Sequence, residues 1–268
     1  MKHYDYDDSV LMCATGAGFL AVECMTGIYR AFEEWGTIPG QVLSSSGSTL
    51  FASLYYSVES TKWFEALMDS TKPSTFINFN LGAAFQTLLS KKQHLIDNDA
   101  VFDLLKKNMT GNASKRVTTS VTCNTDWSTH MKRVTPGWAT AATSIPFVFK
   151  PVKIGDHLWS DGGVLNNLPI PSIKEAKQYK HIFVFAAPPT KYFEGKFIIL
   201  QLLNLLQAVM EREVAQLKEI GFFELPNVTL IQPPDALGGS LLGWSPEFKL
   251  RESVYKQTKE LLNDVKMD

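Results

Sequence analysis

Short apolar runs alternate along this chain with longer segments in which apolar residues recur at helical spacing. The runs span Val10 to Ala14, Gln41 to Leu43, Val117 to Cys123 and His181 to Ala187. Runs of this length and composition are typical of buried strands, and their alternation with helices is typical of a parallel sheet. The sequence therefore predicts an α/β fold in which helices cover a central, mostly parallel sheet.

Helices are expected between and after these strands. The predicted helices cover Leu20 to Trp35, Thr49 to Tyr56, Ala100 to Met109, a long stretch from Phe197 toward Ile220, and Pro246 to Val265. With 45% apolar residues, no internal repeat and no evident linker, residues 1–268 are expected to form a single domain.

Charge and cysteine content argue against nucleic acid as a partner and against disulfide or zinc sites. The 26 basic and 27 acidic residues give a net charge of −1, so nucleic acid is not an expected partner. Cys13, Cys24 and Cys123 lack the number and spacing of a disulfide framework or a zinc site. Neither a metal nor a cofactor is expected, and a reducing compartment is the simpler interpretation.

Neither a signal peptide nor a transmembrane segment is expected in this chain. Its first ten residues are acidic where a signal peptide would be basic. The apolar stretch from Phe197 to Met210 is interrupted by polar residues and is shorter than the roughly 20 residues that a membrane-spanning helix needs. A cytoplasmic protein without a signal peptide or transmembrane segment is the expectation.

A glycine-containing turn, Thr15 to Gly18, lies between the first predicted strand and the first predicted helix. Glycines allow a tight turn there and present backbone N–H groups near the positive end of a helix, which suits an anion. Phosphate binding, an oxyanion hole and a purely structural turn are all compatible with so short a motif.

The stretch VLSSSGST, from Val42 to Thr49, lies where the second strand meets the second helix. A nucleophile on a strand-to-helix elbow needs tiny residues two positions before and after it, because the chain folds back on itself. With Ser46 as the nucleophile, those positions are Ser44 and Ser48, where glycine is usual. The alternative is a serine-rich loop or helix N-cap without chemistry.

Asp161 precedes two glycines, Gly162 and Gly163. It follows a predicted hairpin, VKIGDHLW, and precedes the apolar segment VLNNLPI, so the carboxylate is expected to approach the core. An ionised carboxylate held there is able to act as a general base. A simple surface bend is the alternative.

Taken in order, the three motifs resemble those of the patatin-like phospholipase family: a glycine-rich oxyanion segment, a GxSxG elbow and an Asp-Gly-Gly turn. The segments from Ala139 to Val152 and from Val164 to Ile170 look like that family as well, so the resemblance covers nearly the whole chain. It implies a three-layer α/β/α fold and a serine acyl hydrolase of phospholipase A type, acting on lipid esters without a metal or cofactor.

The resemblance also implies roles for particular residues. Ser46 would be the nucleophile and Asp161 the general base of a catalytic dyad, and the oxyanion hole would comprise Gly16, Ala17 and Gly18. The chain departs from the family pattern at Ala17, at Phe19-Leu20 where a basic residue is frequent, and at Ser44 and Ser48. A catalytically inactive lipid-binding module is therefore the alternative.

Two rival assignments compete with this dyad. Ser45 as nucleophile would keep Gly47 as the trailing glycine, but the family's alanine six positions after the nucleophile fits Ala52, counted from Ser46. A Ser-His-Asp triad in α/β-hydrolase order needs a histidine after Asp161. Only His181 follows, and it begins a predicted strand, whereas sites in open parallel sheets gather at the carboxyl ends.

Two segments are candidates for contact with a peripheral membrane surface, the expected source of the substrate. The helix from Phe197 has a broad apolar face, for which core packing is the favoured interpretation and lipid docking, a lid or a dimer face the alternatives. The loop from Thr71 to Gly82, with Phe76, Ile77 and Phe79, is the second candidate. Neutral-lipid esterase and acyltransferase activities are variants that the sequence does not separate.

Overall fold

The computed structural model describes residues 4–71, 94, 96–189, 198–239 and 243–265. Its strands are β1 (Asp5–Ala14), β2 (Thr37–Ser44), β3 (Val117–Cys123), β4 (Thr129–Arg133), β5 (Val152–Ile154), β6 (His157–Asp161), β7 (His181–Phe185) and β8 (Val228–Ile231). Its helices are α1 (Gly18–Trp35), α2 (Ser46–Val58), α3 (Thr61–Ser70), α4 (Asp99–Asn108), α5 (Gly111–Arg116), α6 (Pro136–Ala142), α7 (Ile173–Ala176), α8 (Ile198–Glu219) and α9 (Lys249–Asp264). The loop predicted to contact lipid lies outside the described residues beyond Thr71.

The strands form one mixed sheet with a parallel centre. β1 pairs in parallel with β2 and with β7, β2 pairs in parallel with β3, and β7 with β8. β4 and β6 pair antiparallel with β3, and β5 pairs antiparallel with β6. The predicted α/β fold, with helices flanking a mostly parallel sheet, is confirmed and is consistent with three layers.

Both faces of the sheet are buried. Val10, Met12 and Ala14 of β1 pack into a core shared with α1, α2 and α9. Leu11 and Cys13 pack into a second core, shared with β7 and α8. Successive side chains of a strand point to opposite faces, so burial on both sides explains why β1 reads as a continuous apolar run.

The prediction missed strands β4 and β8 and helices α3, α5, α6 and α7, and it placed the start of α2 differently. β4 is half-exposed and β8 is short, and neither presents the long apolar run on which the prediction relied. α2 begins at Ser46, three residues before Thr49, because the backbone changes from an extended conformation at Ser45 directly into the helix. Small polar residues in the first helical turn carry no apolar periodicity, so the pattern alone placed this boundary too late.

The C-terminal half of α8 packs on the body of the protein, as predicted. Met210, Val214 and Leu217 are buried, whereas Leu205 is 59% exposed. Gln207, one of the polar residues that interrupt the apolar stretch of this helix, is buried as well. Within the described ranges, no helix combines the length and apolar character needed to cross a membrane.

The strand pairings bring the ends of β2 and β6 together. Ser44, the last residue of β2, pairs with Thr119 of β3, and Asp161, the last residue of β6, pairs with Val121. β4 pairs with both Thr119 and Val121 and so occupies one side of β3. β2 and β6 therefore both lie on the opposite side of β3, with their ends next to each other. Two residues along a strand span about 7 Å. The chain leaving β2 and the chain leaving β6 therefore emerge at the same place.

Candidate active site

The chain turns sharply between β2 and α2, and Ser46 is at the turn. Ser46 has φ of 47°, in the left-handed region that non-glycine residues rarely adopt, and it is the first residue of α2. Strained backbone of this kind, on a strand-to-helix connection at the carboxyl end of a parallel strand, is characteristic of nucleophile elbows. The helix N-terminus also places a positive partial charge beside the Ser46 side chain.

Serine at both flanking elbow positions is accommodated by hydrogen bonding. Ser44 and Ser48 are fully buried. The Ser44 hydroxyl lies 3.0 Å from the Thr49 hydroxyl, and the Ser48 hydroxyl donates to the Thr15 carbonyl at 2.6 Å. Neither serine has a positive φ. The second of these bonds ties the elbow to the glycine-containing turn, a contact that glycine could not make.

Asp161 is enclosed beside the elbow, with 3% of its surface exposed. Burial raises the pKa of Asp161 from 3.8 to about 7, although hydrogen bonds from the Ser46 hydroxyl and the Gly163 N–H act in the opposite direction. The Gly163 N–H donates to Asp161 Oδ1 at 2.8 Å. A carboxylate that faces a serine hydroxyl and titrates near neutrality is suited to general-base chemistry.

Ser45 occupies a different environment from Ser46. It is fully buried, and its hydroxyl has no hydrogen-bond partner in the part of the chain that the structure describes. Ser46, by contrast, is 8% exposed and lines two cavities. Of the two serines, Ser46 therefore combines a carboxylate partner with access from a cavity.

The glycine-containing turn lies against the elbow. A Cβ atom placed on Gly16 would come within 2.4 Å of Ser46 Cβ. The Gly16 N–H already has an acceptor, Asn167 Oδ1 at 3.1 Å, and its role in an oxyanion hole stays a prediction. Within the described ranges, the N–H groups of Ala17, Gly18 and Gly47 have no acceptor, and α1 and α2 both begin here. Unpaired N–H groups at two helix N-termini suit a developing negative charge.

Gly47 is in close contact with this turn. A Cβ atom at Gly47 would lie 2.0 Å from the Gly18 carbonyl oxygen, so an alanine side chain requires the elbow and the turn to move apart. We expect Gly47→Ala to lower the free energy of unfolding by about 1–3 kcal/mol, the usual cost of overpacking. Urea denaturation measures this. Gly111→Ala is the matched control because a Cβ there meets nothing within 4 Å, and equal stability losses in the two variants would contradict the proposed contact.

An apolar cavity opens beside Ser46, with a volume of about 810 Å³ that includes space open to solvent. Three helices supply much of its wall, with Leu50 and Leu54 of α2, Phe64 and Met68 of α3, and Val101 and Leu104 of α4. A cavity of this size and lining accepts an apolar ligand such as a hydrocarbon chain.

Phe19 and Trp244 form another wall of the same cavity, with ring centroids 4.8 Å apart in an edge-to-face arrangement. The segment that carries Trp244 is held on α1 by Glu23, which accepts hydrogen bonds from the Ser245 N–H at 2.8 Å and the Arg251 N–H at 3.1 Å. Burial raises the pKa of Glu23. The wall is thus fixed by a buried carboxylate that the sequence did not single out.

A second, smaller cavity of about 410 Å³ contains the polar groups, again including space open to solvent. Asp161, Asn167 and the Gly16–Gly18 turn line it, and Gln207 and Met210 of α8 close its far side. Ser46, Gly18 and Ile145 line both cavities. Ser46 therefore lies at the junction of the apolar cavity and the polar cavity.

His181 lies far from this site. It begins β7 opposite Val10, at the amino end of the parallel strands, whereas Ser44 pairs at the carboxyl end with Ala14. Four residues of strand separate the two levels by about 13 Å. His181 instead hydrogen-bonds to Thr229 at 2.8 Å, and burial lowers its pKa.

The structure also describes the three cysteines and the side chains that are able to bind metals. Cys13, Cys24 and Cys123 are free thiols buried in the core. Among the described residues, no cluster of histidine, cysteine, aspartate or glutamate side chains has the geometry to hold a metal ion.

As well as Glu23, three residues make site contacts that were not predicted from the sequence. Asn167 bonds to Gly16, Glu213 accepts hydrogen bonds from the Asn167 and Leu168 N–H groups, and Gly47 touches the Gly18 carbonyl. The apolar run VLNNLPI hinted that Asn167 approaches the core, but nothing local linked Glu213, 46 residues later, to it.

Comparison with known proteins identifies the family of this chain. A family model described as patatin-like phospholipase matches residues 14–173, which include the glycine-containing turn, Ser46 and Asp161. Among solved structures, VipD from Legionella pneumophila aligns with a TM-score of 0.50 and 13% sequence identity over 95% of this chain, a likeness of fold alone. This chain spans 66% of that protein's chain. No curated protein sequence matches significantly. Because the family model matches more than half of the chain, the chain belongs to the patatin-like phospholipase family.

Proposed function

We propose that this protein is a serine acyl hydrolase that cleaves the acyl esters of phospholipids through a Ser46–Asp161 dyad. One observation carries the proposal: Ser46, at the strained elbow, interacts with the buried Asp161 carboxylate at the junction of an apolar and a polar cavity. Membership of the patatin-like phospholipase family supports the same reaction class.

The reaction proceeds in two acyl-transfer steps. Ionised Asp161 accepts the Ser46 hydroxyl proton while Ser46 Oγ bonds to the ester carbonyl carbon. The oxyanion of the tetrahedral intermediate accepts hydrogen bonds from the N–H groups of Ala17, Gly18 and Gly47, supported by two helix N-termini. The carbon–oxygen bond to the leaving alcohol then breaks, and that alcohol takes the proton from Asp161. Water, deprotonated by Asp161, releases the fatty acid and restores the Ser46 hydroxyl.

The two cavities divide the substrate between them. The apolar cavity takes the acyl chain, because its described lining is almost entirely hydrocarbon and aromatic. The polar cavity holds the ester group and the start of the leaving alcohol beside Asp161. Long acyl chains reside in membranes and micelles, so the protein acts at a peripheral membrane surface.

Fatty acid release from phosphatidylcholine vesicles tests the function. The proposal predicts release that is linear in time and in protein concentration. Binding of the protein to vesicles without any release would support the alternative, a lipid-binding module without catalysis.

Neutral-lipid esterase activity is the second candidate, favoured by one observation. No lysine or arginine is found among the described residues that line either cavity, so these residues offer no cation to a phosphate group. Diacylglycerol and phosphatidylcholine of identical acyl composition, assayed side by side in mixed micelles, separate the two. Faster cleavage of diacylglycerol than of phosphatidylcholine would favour neutral-lipid esterase activity.

Filling the apolar cavity should shift chain-length preference. Leu54 lies two helical turns, about 12 Å, along α2 from Ser46. We expect Leu54→Phe to lower kcat/KM for palmitoyl esters about tenfold or more, while butyryl esters lose less than about threefold, because only a long chain reaches the added ring. Leu158→Phe, at a site 41% exposed and outside both cavities, is the matched control. Equal losses for both chain lengths would contradict the assignment of this cavity to the acyl chain.

A further inference from the structure

Glu213 is a half-buried carboxylate of α8 that the proposed mechanism leaves without a role. Burial raises its pKa, and hydrogen bonds from the backbone of Asn167 and Leu168 act in the opposite direction. In the described part of the chain, Glu213 forms no ion pair with a lysine, arginine or histidine. A buried carboxylate without a cation needs hydrogen-bond donors to hold it.

The donors are backbone N–H groups of the segment that follows Asp161. The Asn167 N–H lies 3.1 Å from Glu213 Oε1 and 3.0 Å from Oε2, and the Leu168 N–H donates to Oε2 at 2.8 Å. Hydrogen bonds to a carboxylate are stronger than those between neutral groups. Glu213 therefore fixes the backbone of Asn167 against α8.

Asn167 in turn holds the glycine-containing turn. Its Oδ1 accepts from the Gly16 N–H at 3.1 Å, and its Nδ2 donates to the Gly16 carbonyl at 3.0 Å. The Asn167 side chain is almost fully buried, so both bonds form away from solvent. The Asn167 carbonyl oxygen also accepts from the Gly16 N–H, at 3.3 Å, so Asn167 engages both polar groups of the Gly16 backbone.

Gly16 also lies against the nucleophile. A Cβ atom on Gly16 would lie 2.8 Å from Asn167 Oδ1 and 2.4 Å from Ser46 Cβ, so Gly16 is close to both residues. The next two N–H groups, those of Ala17 and Gly18, are the ones proposed to bind the oxyanion. A small displacement of Gly16 therefore moves these donors relative to the reacting carbonyl, where geometry strongly affects the rate.

We propose that Glu213 is a positioning residue, which fixes the oxyanion-binding turn through Asn167 and so makes the position of α8 a determinant of catalytic rate. Its effect on rate rests on the proposed function. Its effect on the turn does not, because the hydrogen bonds exist in the absence of substrate.

Glu213→Gln tests the proposal because it keeps the size of the side chain but removes its charge and one acceptor oxygen. We expect kcat for 4-nitrophenyl butyrate to fall about tenfold with KM changed less than about twofold, since transition-state stabilisation is what is lost. Amide hydrogen exchange of Gly16, measured within the peptide from Thr15 to Gly18, should become at least about tenfold faster. Glu219→Gln, an exposed carboxylate on the same helix, should change neither quantity.

A double-mutant cycle with Asn167→Ala identifies the route. If Glu213 acts through Asn167, the two losses of kcat combine to less than their product, because Asn167→Ala removes the side-chain contacts but keeps the bond from the Gly16 N–H to the Asn167 carbonyl. Fully multiplicative losses would overturn the proposal. Unchanged exchange of the Thr15–Gly18 peptide in Glu213→Gln would overturn it as well. Wild-type protein that cleaves no ester contradicts the proposed function, and the exchange comparison still decides the role of Glu213.

Discussion

Ser46→Ala should abolish ester hydrolysis, lowering kcat/KM for phosphatidylcholine and for 4-nitrophenyl butyrate by about 10³-fold or more. Alanine retains the Cβ that lies against Gly16 of the glycine-containing turn, but it removes the hydroxyl oxygen that is placed to attack the carbonyl. The fold should be preserved, because alanine keeps all of the Ser46 side chain except that hydroxyl. Initial rates of fatty acid release at matched protein concentrations measure the effect.

Ser45→Ala is the matched control for this prediction. Ser45 precedes Ser46 in the same elbow, is fully buried and has a hydroxyl without a partner among the described residues. Its removal should leave kcat within about threefold of wild type. The reverse result, full activity in Ser46→Ala and none in Ser45→Ala, would contradict the assignment of the nucleophile.

Asp161→Asn should have the second large effect: it should lower the activity and raise the stability of the protein. Asparagine keeps an acceptor for the Gly163 N–H but cannot take the proton of Ser46, so we expect kcat/KM to fall about 10³-fold or more. It also removes a carboxylate whose ionisation is opposed by burial. The variant should therefore be less active but more stable than the wild type at neutral and higher pH.

The sign of the stability effect follows from the raised pKa. The pKa of Asp161 rises from 3.8 to about 7 on folding, so the folded state binds the proton more tightly than the unfolded state. The wild type thus loses stability as pH rises from about 3.8 through 7, by up to roughly 4 kcal/mol above pH 7. Urea denaturation at pH 5 and pH 8.5 should show the stability advantage of Asp161→Asn growing with pH. A constant difference would contradict a buried, ionisable Asp161.

The same ionisation sets the pH dependence of wild-type activity. Only ionised Asp161 accepts the proton of Ser46, so kcat/KM should increase with pH and level off above about 7. Initial rates of 4-nitrophenyl butyrate hydrolysis between pH 5 and pH 9 measure this, and a flat profile would contradict the role of Asp161 as the base.

The sequence predicted the elements of the site because each has a local signature. The glycine-containing turn, the elbow at Ser46 and the turn after Asp161 each combine small residues with a change from strand to helix or bend. The apolar runs of β1, β3 and β7 were visible because these strands are buried on both faces. The order of the three motifs along the chain then matched that of the patatin-like phospholipase family.

What the sequence could not supply was the geometry set by distant contacts. The meeting of β2 and β6 depends on how both pair with β3, which no local pattern records. The engagement of the Gly16 N–H by Asn167 was likewise not predictable, since the two residues lie 151 positions apart and neither local sequence points to the other.

Two departures from the family pattern acquire a physical explanation in the structure. Ser48 at the elbow donates a hydrogen bond to Thr15, and its partner position Ser44 bonds to Thr49. Phe19, where a basic residue is frequent in the family, packs against Trp244 in the wall of the apolar cavity. Both departures are therefore compatible with a functional site.

Labelling with a fluorophosphonate probe, followed by mass spectrometry of the modified peptide, tests the central claim most directly. The account predicts one covalent adduct, on Ser46, formed in wild-type protein and in Ser45→Ala but absent in Ser46→Ala and strongly slowed in Asp161→Asn. An adduct on Ser45, or no adduct in protein that still binds phosphatidylcholine vesicles, would contradict it.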